Sequence, residues 1–416
     1  MKGLGILGAF LFVAGVPAYR PDALRAANGS HAPIVIASDS DFQACNCVTR
    51  GSGTMTDPYI IGPWAINSAA SGHSAVFIDG TFLTRSFILF NLTIAGNGAS
   101  STTGIVLNHI NPSGRNTISA VVTGTQTSIQ GAGTGIVVEN SSFVILDGGG
   151  ANDSGPGIGV AAGTINKNFT GGIDIENSRN ITVRGWQLSA NGQDNSPDYI
   201  AFDPSLANWG VGAVRLFASS NILIDHNAAN NCTTASFTVF FSNHNTISNN
   251  TADYPFTNNL LITAGSSYNV ASNNVFSTAD FVGILIADAL PGTSTLNLYG
   301  PTHDNLIQGN VDHTDGPTGT ERRSGIAPAF LGGVVILNGT YNNTITNNQV
   351  FASAATDLAW AQAVPDPNSQ IGVASEPPIL HCNVTASEGG NGVANHNGNV
   401  WSGNTVNKID ACITQQ

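Results

Sequence analysis

The stretch "NHNTISNNTA" (residues 243–252) sets one aliphatic, Ile247, among asparagines, and "YNVASNNVFS" (268–277) and "NNTITNNQVF" (342–351) repeat the pattern. Asparagine is a poor strand former, so its recurrence beside single apolar residues calls for a structural role. Pairing each apolar residue with the asparagine three positions later gives Ile224/Asn227, Ile247/Asn250, Val270/Asn273, Ile307/Asn310, Ile345/Asn348 and Trp401/Asn404. The steps from 224 to 247 and from 247 to 270 are both 23 residues. Later steps of 37 and 38 are the same unit carrying an inserted loop, and the last, of 56, carries a longer one. Earlier units, "GIVVENSSFVIL" (135–146) and "GGIDIENSRNITV" (171–183), keep the two apolar runs without that asparagine. A period of this size marks a solenoid. Each unit holds two or three alternating apolar runs too short for helices, divided by Asn, Ser and Gly turns, so each is one β coil. Coils stacked ~4.8 Å apart bring equivalent asparagines within hydrogen-bonding reach. A ladder of that kind satisfies amides that would cost ~1–3 kcal/mol each if buried unpaired. The expected fold is all-β: a right-handed parallel β-helix with capped ends and inserted loops.

Composition agrees. Only 9% of the 416 residues are charged, against about 25% in an ordinary soluble domain, so Asn, Ser, Thr and backbone must solvate the surface. With 48 glycines and 2 methionines, tight-turned β structure has its materials and long amphipathic helices do not. The net charge of −13 excludes nucleic acid as a partner, because a binder neutralises phosphates with a basic face.

The opening "MKGLGILGAFLFVAGVPAY" has one Lys, an apolar run from Gly3 to Val16 and a small-residue exit at Val16-Pro17-Ala18. That is the layout of a secretory signal peptide, residues 1–18, cleaved after Ala18; the run falls short of the ~20 residues a spanning helix needs, and no later stretch could span a bilayer. Five cysteines fit an oxidising compartment. Cys382 and Cys412 are placed to staple the end of the chain, whereas Cys45 and Cys47, one residue apart, are a poor geometry for bonding each other.

The repeat resembles the right-handed parallel β-helix proteins, which include pectin-lyase-like enzymes and NosD-type periplasmic proteins. The segment "IVIASDSDFQACNCVTRGSGTMTDPYIIGPWAI" (34–66) is similar to the entry segment preceding the coils in NosD-type and surface-located relatives. The resemblance implies an entry and capping segment over 34–74 and a β-helix domain over 75–412. It implies architecture only, since this fold hosts unrelated functions.

Stacking makes the repeat a coordinate system. Ile173/Ile175, Val214/Leu216, Phe237/Val239, Leu260/Ile262, Ile284/Ile286 and Val334/Ile336 are the expected inward pairs. The outward columns then read Asp174, Arg215, Thr238, Leu261, Leu285, Val335 and Glu176, Phe217, Phe240, Thr263, Ala287, Leu337. A strip this apolar is seldom left bare, and the expected cover is the chain's own insertions at 189–212, 288–302, 312–331 and 353–380. Those loops offer Tyr199, Trp209, Tyr299 and Trp360 as sugar-stacking platforms, and Arg215 joins them as a substrate-binding candidate. Asp174 with Arg215, and Arg184 with Asp225, read as exposed ion pairs of small worth.

The sharper constellation is a corner. His244, Tyr268 and His303 with Asp304 lie two to four residues ahead of Ile247, Val270 and Ile307, so stacking places them on successive coils. A His near neutral pKa beside a carboxylate and a phenol can move a proton at a sugar carbon. Within "YGPTHD" (299–304), Tyr299, Gly300 and His303 resemble the Tyr-Gly-x-Asp-Pro-His motif of mannuronan C5-epimerases, one residue short and without the motif Asp. No Gly-His-Gly cluster of a polygalacturonase is present, and metal and cofactor are both expected absent. The leading expectation is a secreted, non-catalytic envelope or extracellular β-helix that binds polysaccharide or cell-envelope glycan. The alternatives are a polysaccharide lyase or epimerase, and a NosD-type accessory protein for copper-site assembly. Oligomeric state is open.

Overall fold

The computed structural model describes residues 29–407 apart from 69–73, 97–101, 125, 150–162, 169, 193–210, 233–234, 256–257, 280–281, 288–299, 314–331, 338–339, 352–355, 364–378 and 382–397. Among the described residues almost every element is a short strand, and these strands form three sheets of twelve. The chain is a right-handed parallel β-helix. Each coil contributes one strand to a front sheet, one to a side sheet and one to a back sheet: Gly171–Glu176, Thr182–Arg184 and Gln187–Ser189 make one such circuit. The next circuit begins at Gly212–Phe217, whose Val214 sits opposite Ile173.

One continuous cluster of buried residues runs through the interior, and a small second one, Ile60, Ile88, Phe90 and Val121, lies apart from it. Ile173, Val214, Phe237, Leu260, Ile284 and Val334 are successive partners on the front sheet, and all are buried. On the side sheet, Ile224, Ile247, Ala271, Ile307, Ile345 and Trp401 stack in the same way. Here the structure corrects the expected register by one residue. Thr246, not Ile247, stands opposite Val270, so the unit is Ala271/Asn274 rather than Val270/Asn273. The reason is a step of 24 residues between Asn250 and Asn274 after one of 23 between Asn227 and Asn250. Ala is less conspicuous than Val as a core signal, and Asn273 stands beside Asn274.

Two asparagine ladders run at the ends of the side strands. Asn227, Asn250, Asn274, Asn310, Asn348 and Asn404 form one, each Nδ2 donating to the Oδ1 of the next at 2.9–3.0 Å. Asn245, Asn269, Asn305, Asn343 and Asn399 form the other, at 2.9–3.0 Å. In Asn310 all four side-chain bonds are made. Its Oδ1 accepts from the Asn274 backbone and Nδ2, and its Nδ2 donates to Ala271 O and Asn348 Oδ1. A serine series, Ser141, Ser178, Ser219, Ser242 and Ser266, accepts backbone N–H groups from coil to coil at the adjoining bend.

Near the beginning of the described chain, Val48–Arg50 runs antiparallel to Tyr59–Ile61, and near the end Ile379–His381 runs antiparallel to Thr356–Ala363. Phe42, on a short helix Asp41–Ala44, is buried against Tyr59 and Phe87 at ring separations of 4.9 and 6.0 Å. Cys45 and Cys47 form a disulfide, against the expectation from their spacing: their Cα atoms are 5.1 Å apart, inside the usual range for a bridge. The pair therefore presents no thiolate for copper. Cys382, Cys412 and residues 1–18 lie outside the described residues.

Asn310→Ala should strand donors on Asn274 and an acceptor on Asn348, costing at least about 2 kcal/mol. Asn347→Gly, at an exposed left-handed turn position, should change stability by less than about 0.5 kcal/mol. Denaturation midpoints of the two variants check this; equal midpoints would remove the ladder's role.

Candidate active site

The bend from front sheet to side sheet has a fixed backbone recipe. Its left-handed position is filled in successive coils by Asn180, Asn221, His244, Tyr268, Asp304 and Asn342, with φ between +52° and +57°. Asparagine tolerates this conformation better than most residues, and Asn fills it at 180, 221 and 342 while the three coils between carry chemical groups; Phe143 holds the same position one coil before Asn180. One position earlier, isolated bridges join Ser142, Arg179, Ser220, Asn243, Ser267, His303 and Tyr341 in a second column.

The two columns bring the predicted corner together. His244 stacks on Tyr268 with ring centroids 5.1 Å apart, and Tyr268 meets His303 edge-on at 5.6 Å. His303 lies flat against Tyr341, 4.7 Å away and 6° from parallel. His303 Nδ1 is 2.7 Å from Asp304 Oδ2. Where the carboxylate accepts this bond, Nδ1–H is the donor, and in a neutral ring that leaves the lone pair on Nε2, the tautomer a general base needs. Tyr268 is among the most exposed large side chains, at 51%. A base oriented by a carboxylate, with a phenol on the neighbouring coil, can take a proton from one atom and return one to another.

Tyr341 is absent from the sequence-derived set. Separating the corner into two columns would have found it: counted from the core residue, His303 and Tyr341 both stand four positions ahead of Ile307 and Ile345, while His244, Tyr268 and Asp304 stand three ahead of Ile247, Ala271 and Ile307.

The other candidates fare differently. Tyr199, Trp209 and Tyr299 lie outside the described residues, as does most of each insertion proposed as cover. Trp360 is not on a loop: it belongs to the strand Thr356–Ala363, in register with Ile336. Most described positions of the front-sheet columns are buried, from Thr238 and Leu261 to Leu285 and Val335, while Glu176 and Phe217 are half-buried. Arg215 is correspondingly not a surface ion pair. It is 4% exposed, with Nε 2.9 Å from Asp174 Oδ1 and Nη2 2.6 Å from both Asp174 Oδ2 and Glu176 Oε1. Arg184 pairs at 2.6 Å with Asp147 on the preceding coil rather than with Asp225, which holds His226. Burial pushes the Glu176 carboxyl up to about 7, with repulsion from Asp174 adding to the effect and Arg215 opposing it. Burial also raises Glu139, the neighbour of Glu176 in the same column. Among the described residues there is no cluster of three or more His, Cys, Asp or Glu placed to hold a metal, and no helix long and apolar enough to cross a membrane.

No known protein family and no curated protein matches this chain. Among solved structures it is similar to an alginate lyase from Paenibacillus sp. str. FPU-7, with 11% identity over 92% of this chain and 98% of the other and a TM-score of 0.42. It is also similar to a periplasmic alginate epimerase, with 10% identity over 92% and 82% and a TM-score of 0.37. A third is DFA-IIIase from Arthrobacter chlorophenolicus A6, with 13% identity over 84% and 72% and a TM-score of 0.43. The likeness is one of fold. All three are named as enzymes, against the non-catalytic scaffold expected from sequence, but at these identities and TM-scores the likeness itself shows the fold alone. Which residues act is a question for the corner's own geometry.

The Glu176 carboxyl gives a pH prediction. Its folded value of about 7 lies above the ordinary 4.5, so its protonated form is favoured by folding. Its contribution is complete below the unfolded value and is lost as pH rises through the folded one. Glu176→Gln, a permanent stand-in for the protonated carboxyl, should therefore gain melting temperature relative to the parent as pH climbs from 4.5 to 7. A difference that stays constant over that window would show that Glu176 does not titrate there.

Proposed function

We propose that this protein is an exported polysaccharide lyase or epimerase working at the front–side corner. Export rests on the leader-like residues 1–18, with 34–74 as entry cap and 75–412 as the catalytic β-helix. The observation that carries the reading is the His303–Asp304 hydrogen bond set inside the aromatic stack of His244, Tyr268 and Tyr341. It supports a single proton-transfer chemistry. His303 Nε2 takes the proton from the sugar carbon bearing a carboxyl group, and the electron pair left behind is held by that carboxyl. Tyr268 then gives its phenolic proton either to the opposite face of the same carbon, which inverts it, or to the departing glycosidic oxygen as a C=C bond forms. Asp304 stabilises the imidazolium that results. Tyr341 and His244 act as rigid walls that hold the imidazole and phenol in place.

The corner supplies its own conservative replacements. Serine already occupies the His303 column at Ser220 and Ser267, and asparagine the Tyr268 column at Asn221 and Asn342. His303→Ser and Tyr268→Asn should therefore fold with parental melting temperatures while turnover falls by about 10²- to 10⁴-fold. A screen of carboxylated and neutral polysaccharides for unsaturated or epimerised products measures it. Parental turnover by His303→Ser, or no turnover on any glycan, would refute the reading.

A further inference from the structure

The same corner continues away from His303 towards earlier coils and there meets a cation. Ser142, Arg179 and Ser220 belong to the bridge column that ends in His303 and Tyr341. Arg179 is exposed and borders a shallow, open depression of about 260 Å³ whose lining is mostly Asn and Ser, with Pro112 and Ala218. The guanidinium rests against a turn: Nη2 lies 3.5 Å from Ser113 O, at the outer limit of a hydrogen bond, and packs over Gly114, which has no Cβ to displace it. Gly114 has φ +71° and closes a turn in which Asn111 side-chain bonds fix Thr117 and Ile118. Among the described residues no carboxylate pairs with Arg179 or with Arg115, whereas Arg184, Arg215 and Arg85 all have one. A planar guanidinium with hydroxyl and amide neighbours suits a carboxylate on a hydroxylated ring.

We propose that Arg179 is a carboxylate-binding subsite for an acidic polysaccharide that lies along this corner, parallel to the helix axis, with its reacting sugar at His303. Along the column Ser220, Asn243 and Ser267 intervene, so the two points are four coils apart, about 19 Å at ~4.8 Å per coil. A disaccharide is too short to bridge them and a longer oligosaccharide is not. The intervening serines and asparagine leave low, polar ground for a sugar chain between the cation and the aromatic stack. The net charge of −13 repels a polyanion at long range, so local pairing at Arg179 must supply the recognition, and added salt should weaken that pairing. This inference rests on the proposed use of the His303 corner and names its substrate class and direction.

The test is calorimetric binding of hexuronate disaccharides and hexamers, and of carboxyl-reduced hexamers, to the full chain, to Arg179→Gln and to His303→Ser. The expectation is that Arg179→Gln weakens hexamer binding by about 10- to 100-fold and leaves the disaccharide and the reduced hexamer unchanged, while His303→Ser still binds the hexamer. Hexamer affinity unaltered by Arg179→Gln would overturn the subsite even where His303→Ser abolishes turnover. Arg179-dependent binding with no turnover would uphold the subsite and refute the catalytic reading. An equal loss for the disaccharide would overturn the axis-parallel placement.

Discussion

The amide ladder is the constraint on which the rest depends. Each rung ties one coil to the next through side-chain bonds of 2.9–3.0 Å, and a one-residue slip would break them all while turning every core side chain outward. Insertions of any length are tolerated between rungs, because loop closure costs little per added residue. The ladder spans separations of 23, 24, 36, 38 and 56 residues without losing register. Residues remote in sequence thereby become neighbours at a corner. The His244, Tyr268, His303 and Tyr341 stack is a consequence of that registration, with no local sequence motif behind it.

Much of this was legible in the chain. The Ile/Asn grammar revealed the architecture, and alternation within the longer strands placed the front-sheet columns correctly from Ile173 to Ile336. Legibility failed where two neighbouring residues carried the same signal. Val270 and Asn273 mimic the repeat as well as Ala271 and Asn274 do, and only pairing with Ile247 decides between them. The slip left His303 and Tyr341 untouched: both stand four positions ahead of Ile307 and Ile345, whose register the sequence already had right. The Cys45–Cys47 bridge eluded a reading from spacing because its local turn sets the Cα separation.

Burial is the quantity sequence conveyed least well. Asp174, Glu176 and Arg215 looked like solvent-facing residues, since the outward side of a solenoid strand is ordinarily wet. The structure buries Arg215 between two carboxylates, at a coil where the front sheet is covered. Losing one partner of such a group strands a charge, a penalty of about 3–5 kcal/mol, whereas the intact pair adds little net stability. The cluster therefore constrains which residues can stand there more than it strengthens the fold. Its seclusion also moves attention from the front face to the corner, where Tyr268 and Arg179 are accessible. The same division separates fold from chemistry: the front sheet supplies rigidity, and the bend, already obliged to take a left-handed residue, supplies reactive groups.

Coil-to-coil amide pairing sets the register. A double-mutant cycle at Asn250 and Asn274, whose side chains are joined at 3.0 Å, tests it most directly by unfolding of the two single alanine variants and the double. The account predicts a coupling energy of about 1–2 kcal/mol. Strict additivity of the two losses would mean that these residues are not stacked neighbours and would contradict it.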